Sequence, residues 1–576
     1  MEDRRTAIAI LLCILVVMVY QELFIAPLTR PPLTPQVKNA GFSKGTRSEI
    51  KTTTQSTTAA PKPVPSSKVI PKRNGHPTIA ELNKSPVITV KTELVTARIA
   101  QLGGRIIEYR LNNYAATLGS KERYNLVKYK EGGLTPLAVY SGGLSDDFVN
   151  YRITGATANL LTKDGTYQLR GSKELVLKLS GTFPDGRSVT KTFHFRPNSY
   201  LFDVTVDFSA PPADGSRIWL EWAEYIRVKD NPDLRINPKK FTALGLNNKI
   251  ILTELKNVEV GLREPMEVEW SSIGDKYFMA SLIPTFKGQN ARIGREGENT
   301  FLDRVAGEAE KAKITIYAGP KEYRALKKIG YQLERNVNYG IFAFLAHPLL
   351  WLLDFFYSIL GNYGLAIILL TLFIKTLFLP LTKASFESMR AMQEIQPEMK
   401  ALRERIKDPN QLNKEMMALY KKHNVNPMGG CLPILIQLPV FLGLYNALRG
   451  AIELRHAPFA LWITDLSSQC GLEVMGVKIP VMILLMGISM FVQQWMTPSA
   501  MDPAQKKVMM FMPVFITFIF IISPFPSGLV LYWLVNNLIS IIQQTYLRSD
   551  KKANPLHATL IASGVIFALG YILTLL

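Results

Sequence analysis

The sequence predicts a polytopic α-helical membrane protein: an N-terminal anchor helix, a five-helix core, and a large all-β, water-facing domain inserted between them. Three observations predict it. A chain of 576 residues exceeds what one hydrophobic core usually organises, so at least two domains are expected. The apolar residues crowd into the first 26 positions and into everything after Tyr339, leaving a polar stretch between. Within that stretch the apolar residues return at every second position, the period of half-buried strands.

The anchor comes first. Arg4 and Arg5 precede an apolar run from Ala7 to Tyr20 that continues through Leu23 to Ala26. A cleaved signal peptide has the same shape, but no A-x-A site follows, and Leu12 precedes Cys13 where a lipoprotein box wants a small residue. Residues 1–26 are therefore read as an uncleaved anchor with a cytoplasmic N-terminus. Residues 27–86 are rich in Pro, Thr, Ser and Lys and nearly free of aromatics, a composition that cannot bury enough surface to fold. They are expected to be a disordered linker outside the cytoplasm.

From Val87 to about Pro320 the pattern is β. Leu175, Leu177 and Leu179 alternate with Val176, Lys178 and Ser180; Phe202, Val204, Val206 and Phe208 alternate with Asp203, Thr205 and Asp207. Turn signals at Pro184-Asp185-Gly186 and Pro197-Asn198 separate the runs, and an antiparallel β-sandwich is expected. Sandwiches of this kind often bind sugars, but no convergent set of acids or histidines is present here.

After Tyr323 the chain turns helical. Two apolar runs, Ile341 to Leu360 and Tyr363 to Leu381, meet at Gly361-Asn362, and each is long enough to span. The loop that follows, 382–429, carries Lys383, Arg390, Lys400, Arg403, Arg405, Lys407, Lys414, Lys421 and Lys422, which the positive-inside rule places in the cytoplasm. Only one of the two runs can then cross. The first, interrupted by His347, Pro348, Asp354 and Ser358, is assigned to the outer interface, within an interfacial segment 321–361. Core spans are expected near 363–381, 431–448, 480–496, 508–522 and 529–546. Lys506 and Lys507 lie inside on this scheme and the Ser523–Gly528 turn outside. Residues 548–576 supply a basic tail and a further apolar run, Ala558 to Leu576, long enough to cross once more.

Lys375 carries the most information, because it sits in ILLTLFIKTLFLPL with apolar neighbours on both sides. A charge near the bilayer middle costs at least ~2.5–3.5 kcal/mol and normally faces a polar interior. One reading is a lysine snorkelling towards the headgroups near Lys383; the other is a cation in a hydrated cavity. Thr371 lies one turn before it, and Gln437, Gln493, Gln494, Asn536 and Asn537 place polar groups in every other core span except 508–522. Polar residues in spans often serve only as interhelical hydrogen bonds. Their recurrence points to a shared wet groove.

The cytoplasmic loop reads as a hairpin of two helices. Ile395, Met399, Leu402 and Ile406 repeat at three and four, Asp408-Pro409-Asn410 breaks the chain, and Leu412, Met416 and Leu419 resume. Its methionines, Met389, Met392, Met399, Met416 and Met417, offer an adaptable apolar surface, although packing between the two helices accounts for most of them.

Several classes are excluded. The sequence has no Walker A loop, H-E-x-x-H, G-x-S-x-G or G-x-G-x-x-G. Cys13, Cys431 and Cys470 have no paired spacing, and His76, His194, His347, His423, His456 and His557 are scattered. No catalytic residue, cofactor or metal site is expected. The net charge of +21 is not gathered into a basic and aromatic motif, so nucleic acid is not the expected partner.

The run LTLFIKTLFLPLTKASFESMRAMQEIQPEMKALRERIKDPNQLNKEMMALYKKHNVNPMGGCLPILIQLPVF, followed by APFALWITDLS and FPSGLVLYWLVNNLISIIQQ, strongly resembles the insertase domain of the YidC family, from about Tyr339 to Leu547. The arrangement of anchor, linker and β domain is similar to Gram-negative members, whose periplasmic domain is a β-supersandwich. The resemblance implies an inner-membrane insertase and chaperone with a groove open to cytoplasm and lipid and closed outside. It implies nascent membrane proteins as clients, delivered by ribosome–nascent chain complexes, and cooperation with the Sec translocon. A groove arginine of the family attracts acidic client tails, and Lys375 occupies its place; Thr371, Gln437, Gln493, Trp533 and Asn536 match other groove positions. Two departures stand out. Lysine keeps the charge but loses the bidentate fork of arginine, which weakens anion recognition. The run after Ala558 has no counterpart in the family pattern and would carry the C-terminus outside. A small-solute transporter would also want an intramembrane cation, but it predicts repeats with half-helices, and none is visible.

Overall fold

The computed structural model describes residues 75–129, 134–157, 160–226, 237–285, 290–406, 408–423, 425, 432–497, 503–523, 525–549 and 555–575. The expected anchor 1–26 and most of the linker lie outside these residues. The linker's last stretch is not all irregular: Ile79–Lys84 forms a short helix, α1, with a capping box between Thr78 and Glu81. Leu82 at its centre is buried against Ala100 and Ile107, which gave this polar stretch a hydrophobic anchor the composition hid.

From Val87 to Pro320 the chain is a two-sheet β domain, with sheets of 5 and 15 strands among the described residues. Alternation sets the inward face. Leu175, Leu177 and Leu179, like Val204, Val206, Ile314 and Ile316, are shut off from solvent, and they share one core with Ile88 and Val90 of the smaller sheet. Leu201–Phe208 pairs antiparallel with both Ser188–Phe195 and Lys311–Pro320, so Phe202 faces Phe195 on one side and Ile316 on the other. The expected antiparallel pattern has one exception, since Val87–Lys91 runs parallel to Thr166–Gln168.

The helical part begins with α2 (Tyr323–Ile329) and α3 (Ala343–Leu360). The polar positions of α3 face back to the segment leaving the β domain: Asp354 pairs with Arg324 at 3.3 Å, and His347 packs on Tyr323 and Tyr339. Gly361, at φ 65°, ends α3, and the Asn362 side chain accepts from the amides of Gly364 and Leu365 to start α4 (Tyr363–Leu377). The expected span 363–381 is thus cut short. After Phe378 the chain bends by 59° into α5 (Leu379–Glu394), because Pro380 lacks the amide that would continue the ladder.

Pro397 acts likewise at the start of α6 (Gln396–Arg405), and Asp408 caps α7 (Pro409–Lys422). The hairpin expected in the cytoplasm therefore has three helices where two were expected, and Ile406 lies just past α6. Its core is Ile395, Met399, Met416, Leu419 and Val425. The remaining helices are α8 (Leu432–Gly450), α9 (Val481–Met496), α10 (Pro503–Ile522), α11 (Ser527–Ser549) and α12 (Pro555–Leu575). Gly340–Leu360 and Leu556–Leu575 are each long and apolar enough to cross a membrane.

Candidate functional site

Helix α11 is the hub. Its polar residues point in turn at each neighbouring helix, because on a 3.6-residue period Asn536, Asn537, Ser540, Gln543 and Gln544 wind around the helix. Asn536 takes a hydrogen bond from Gln437 of α8 at 2.7 Å, and Asn537 donates to Ser489 of α9 at 3.0 Å. Gln544 reaches Thr497 after α9 at 3.4 Å, and Gln543 donates to Thr559 of α12 at 2.6 Å. In an apolar environment these partners satisfy groups that lipid could not, which is why they occur in pairs.

Lys375 joins this set from α4. Its ammonium turns sideways to α11 and donates to Ser540 Oγ at 2.8 Å; Ser540 in turn donates to the Asn536 carbonyl at 2.9 Å. A continuous polar row therefore runs Lys375, Ser540, Asn536, Gln437 across three helices. No carboxylate pairs with Lys375 among the described residues, so its partner is a neutral hydroxyl and the row holds a net positive charge when the amine is protonated.

Above the row, towards the expected outer side, lies an aromatic cluster. Trp533 meets Phe441 edge-on at 4.7 Å and Phe520 at 5.3 Å; Phe520 stacks on Phe525 at 4.0 Å, and Phe525 touches Tyr445 at 5.7 Å. Trp533 is one turn before Asn536 on α11, so the cluster sits directly over the polar row. Helix α10 packs on α9, where Gly487 lets Thr517 approach closely. Its outer face leaves Phe511, Val514, Phe515 and Phe518 exposed, and α8 and α10 make no extended contact among the described residues.

The expected site residues separate into three groups. Lys375, Gln437, Asn536 and Trp533 come together. Thr371 does not join them: it is fully buried and its hydroxyl donates to the Ile367 carbonyl, four residues back, the usual outlet for threonine in an apolar helix. Gln493 and Gln494 are half-buried at the far end of α9, and α9 reaches the hub through Ser489 instead. Among the hairpin methionines, Met399 and Met416 are buried, Met392 packs against them, and Met417 alone of these is exposed; the Met389 side chain lies outside the description. Ser540, Gln543, Gln544, Ser489 and Thr559 were not singled out from sequence. The spacing of four from Asn536 through Ser540 to Gln544 was the available signal.

Among the described residues no group of His, Cys, Asp and Glu could hold a metal ion. A family model described as "60Kd inner membrane protein" matches residues 355–554, and one described as "YidC periplasmic domain" matches 87–352. Three relatives carry the name "Membrane protein insertase YidC". The Geobacter sulfurreducens protein is 38% identical over 74% of this chain and 82% of its own. That of Syntrophobacter fumaroxidans is 38% identical over 79% and 85%, and that of Geotalea daltonii 34% identical over 96% and 100%. Helical core and β domain are thus matched together, and the chain belongs to the YidC family of membrane protein insertases, as a non-enzymatic protein of the inner membrane.

Proposed function

We propose that the chain inserts hydrophobic segments of nascent membrane proteins into the inner membrane, alone or with the Sec translocon, through a groove floored by Lys375, Ser540, Asn536 and Gln437. One observation carries this reading: a lysine ammonium within an apolar helix that has a hydroxyl, and no carboxylate, for a partner. A client's polar or acidic tail supplies the missing counter-charge. The tail enters from the cytoplasm, while the apolar stretch slides along the exposed face of α10. The aromatic cluster around Trp533 closes the outer end, so the tail waits at mid-depth and crosses only part of the ~30 Å core in one step. Each apolar client residue gains about 0.3–0.6 kcal/mol in the bilayer, so some twenty offset the transfer of a short charged tail without ATP.

On this reading α4, α8, α9, α10 and α11 are the core spans, α3 lies along the outer interface, and α12 crosses once more to bring the C-terminus outside. The N-terminus and the basic hairpin α5–α7 are cytoplasmic, where ribosome–nascent chain complexes arrive. The test is Lys375→Glu and Lys375→Arg in proteoliposomes, with a single-span client bearing an acidic tail. Insertion is expected to be lost in the first and kept in the second. Equal insertion by Lys375→Glu and the parent removes the groove cation from the mechanism. A photocrosslinker at Trp533 should meet the tail of a stalled client.

A further inference from the structure

The connection between α8 and α9 contains a feature the groove does not use. Leu472–Val474 and Val477–Ile479 form a two-stranded hairpin joined by Met475 and Gly476. Glu473 and Lys478 are opposite each other on one face. On the other, Leu472 faces Ile479 and Val474 faces Val477, so that face is wholly apolar. It is also uncovered: Leu472, Val474 and Val477 are exposed, and Met475 is 100% exposed. Two-stranded hairpins are marginal in water even when well patterned, so a hairpin with its apolar face bare needs something to cover it.

The turn adds a second argument. Met475 and Gly476 both have positive φ, 52° and 78°, the backbone of a tight two-residue turn that favours Asn-Gly. A long apolar side chain is kept at a position whose backbone disfavours it and where it touches no other part of the protein. Leu461, earlier in the same connection, repeats the pattern with φ 52° and more than half its surface exposed. Local rules broken twice in one loop, each time to present an apolar side chain, point to a surface that meets something apolar.

We propose that this hairpin is a lipid-contact element, seating the α8–α9 connection in the outer leaflet of the membrane with Met475, Val474 and Val477 turned into the acyl boundary. Position favours lipid over a protein partner. Only Pro480 separates Ile479 from α9, and a three-residue strand extends roughly 10 Å, so the tip stays close to the end of a membrane-spanning helix. The exposed residues Leu484, Leu485 and Ile488 of α9 continue the apolar surface from the hairpin into the span. On the opposite side Lys478 donates to the Gln469 carbonyl at 3.0 Å, tying the polar face to the protein and leaving the apolar face outward.

The test uses the full chain in proteoliposomes, with Cys13 and Cys431 replaced by serine, buried Cys470 retained, and an environment-sensitive fluorophore on Met475→Cys. Blue-shifted emission without any client, quenched by lipids spin-labelled near the headgroup, is expected. Emission like that in water, whether constant or shifting only while a client is inserted, overturns the proposal; the second pattern assigns the patch to clients. A companion variant combines Met475→Asn, Val474→Thr and Val477→Thr with the probe on Leu472→Cys, an exposed position of the same apolar face. It gives the turn its favoured residues and keeps strand formers, so the hairpin is retained. Its probe should return to aqueous emission, whereas Leu472→Cys alone, on the apolar face, stays blue-shifted. An unchanged blue shift in the companion means that the apolar face is not what holds the hairpin at the bilayer.

Discussion

His76 stands where the linker enters the β domain, and its two ring nitrogens sit 3.0 Å from Asp147 and 3.0 Å from Glu296. Burial alone would lower its pKa, but the hydrogen bonds and charges of those carboxylates outweigh it and raise the group to about 9. Asp147 belongs to a buried network with Arg105, Asp146 and Lys191, so the histidine clamps the start of the domain to charges that are already committed. A raised pKa makes the clamp fully effective below the unfolded value of about 6.5, and its contribution is lost as pH rises through about 9. His76→Gln should therefore lower the thermal midpoint of the full-length protein most below pH 6.5, and the two proteins should converge above pH 9. A constant difference across that range would remove the charged clamp. Lys191 has the opposite sign, since burial lowers it to about 8, and the comparison with parent protein cancels most of that contribution. None of this was legible in sequence, where His76 was one scattered histidine in a polar stretch: Glu296 is 220 residues away. Lys375 was legible because its signal is local, a cation with apolar neighbours on both sides.

At the scale of elements, α12 lies beyond residues 355–554 matched by the family model, and its packing explains how the core accommodates it. Ala558, Ala562, Ile566 and Gly570 recur every four residues and are buried, while Leu560, Ile561, Leu569 and Ile572 are exposed. The buried stripe meets α4 and α11 closely: a Cβ on Gly570 would lie 2.6 Å from Ile368 Cδ1, and Thr559 receives the Gln543 amide. Small residues allow that approach where lipid gives helices no hydrophobic reason to associate. Gly570→Leu should push α12 off α4 at a cost of about 1–3 kcal/mol, the range for overpacking. Crosslinking reports it. Gln543→Cys with Thr559→Cys, treated with a bifunctional thiol reagent that spans the reach of the glutamine side chain, should crosslink readily in the parent and poorly with Gly570→Leu; equal yields would mean that α12 is held elsewhere. The length of this helix was legible in sequence; its stripe of small residues was not singled out, and such a stripe does not say which helices it meets. The hairpin α5–α7 failed in the opposite way. Its apolar periodicity was read correctly and Asp408 was seen as a break, but Pro380 and Pro397 were passed over as helix starts, so three helices were counted as two.

For the whole molecule the question is whether the β domain works or merely rests on the core. The two are joined through the connection after α8. Ile452 is buried within the β-domain core, and Arg455 donates to the Ala116 carbonyl at 3.1 Å while lying over the rings of Tyr124 and Phe278, 5.6 Å and 5.3 Å from their centres. Trp270 adds a hydrogen bond to the Tyr331 carbonyl at 2.9 Å. These contacts hold the segments that follow α2 and α8, on the expected outer side, whereas among the described residues no hydrogen bond links the polar row from Lys375 to Gln437 to the β domain. A domain bound only to the outer frame should matter for stability more than for insertion. Deleting 87–318 would strip the cover from Ile452 and Arg455, so the deletion should be paired with Ile452→Ser to avoid a newly exposed apolar side chain that would confuse the result. Arg455→Ala in the intact chain tests the coupling itself. It should loosen the domain, read as faster protease cleavage between residues 320 and 340, and leave the insertion rate for a single-span client near that of the parent. If Arg455→Ala slows insertion as much as the deletion does, the β domain acts on the core through this guanidinium, and the outer frame becomes part of the mechanism.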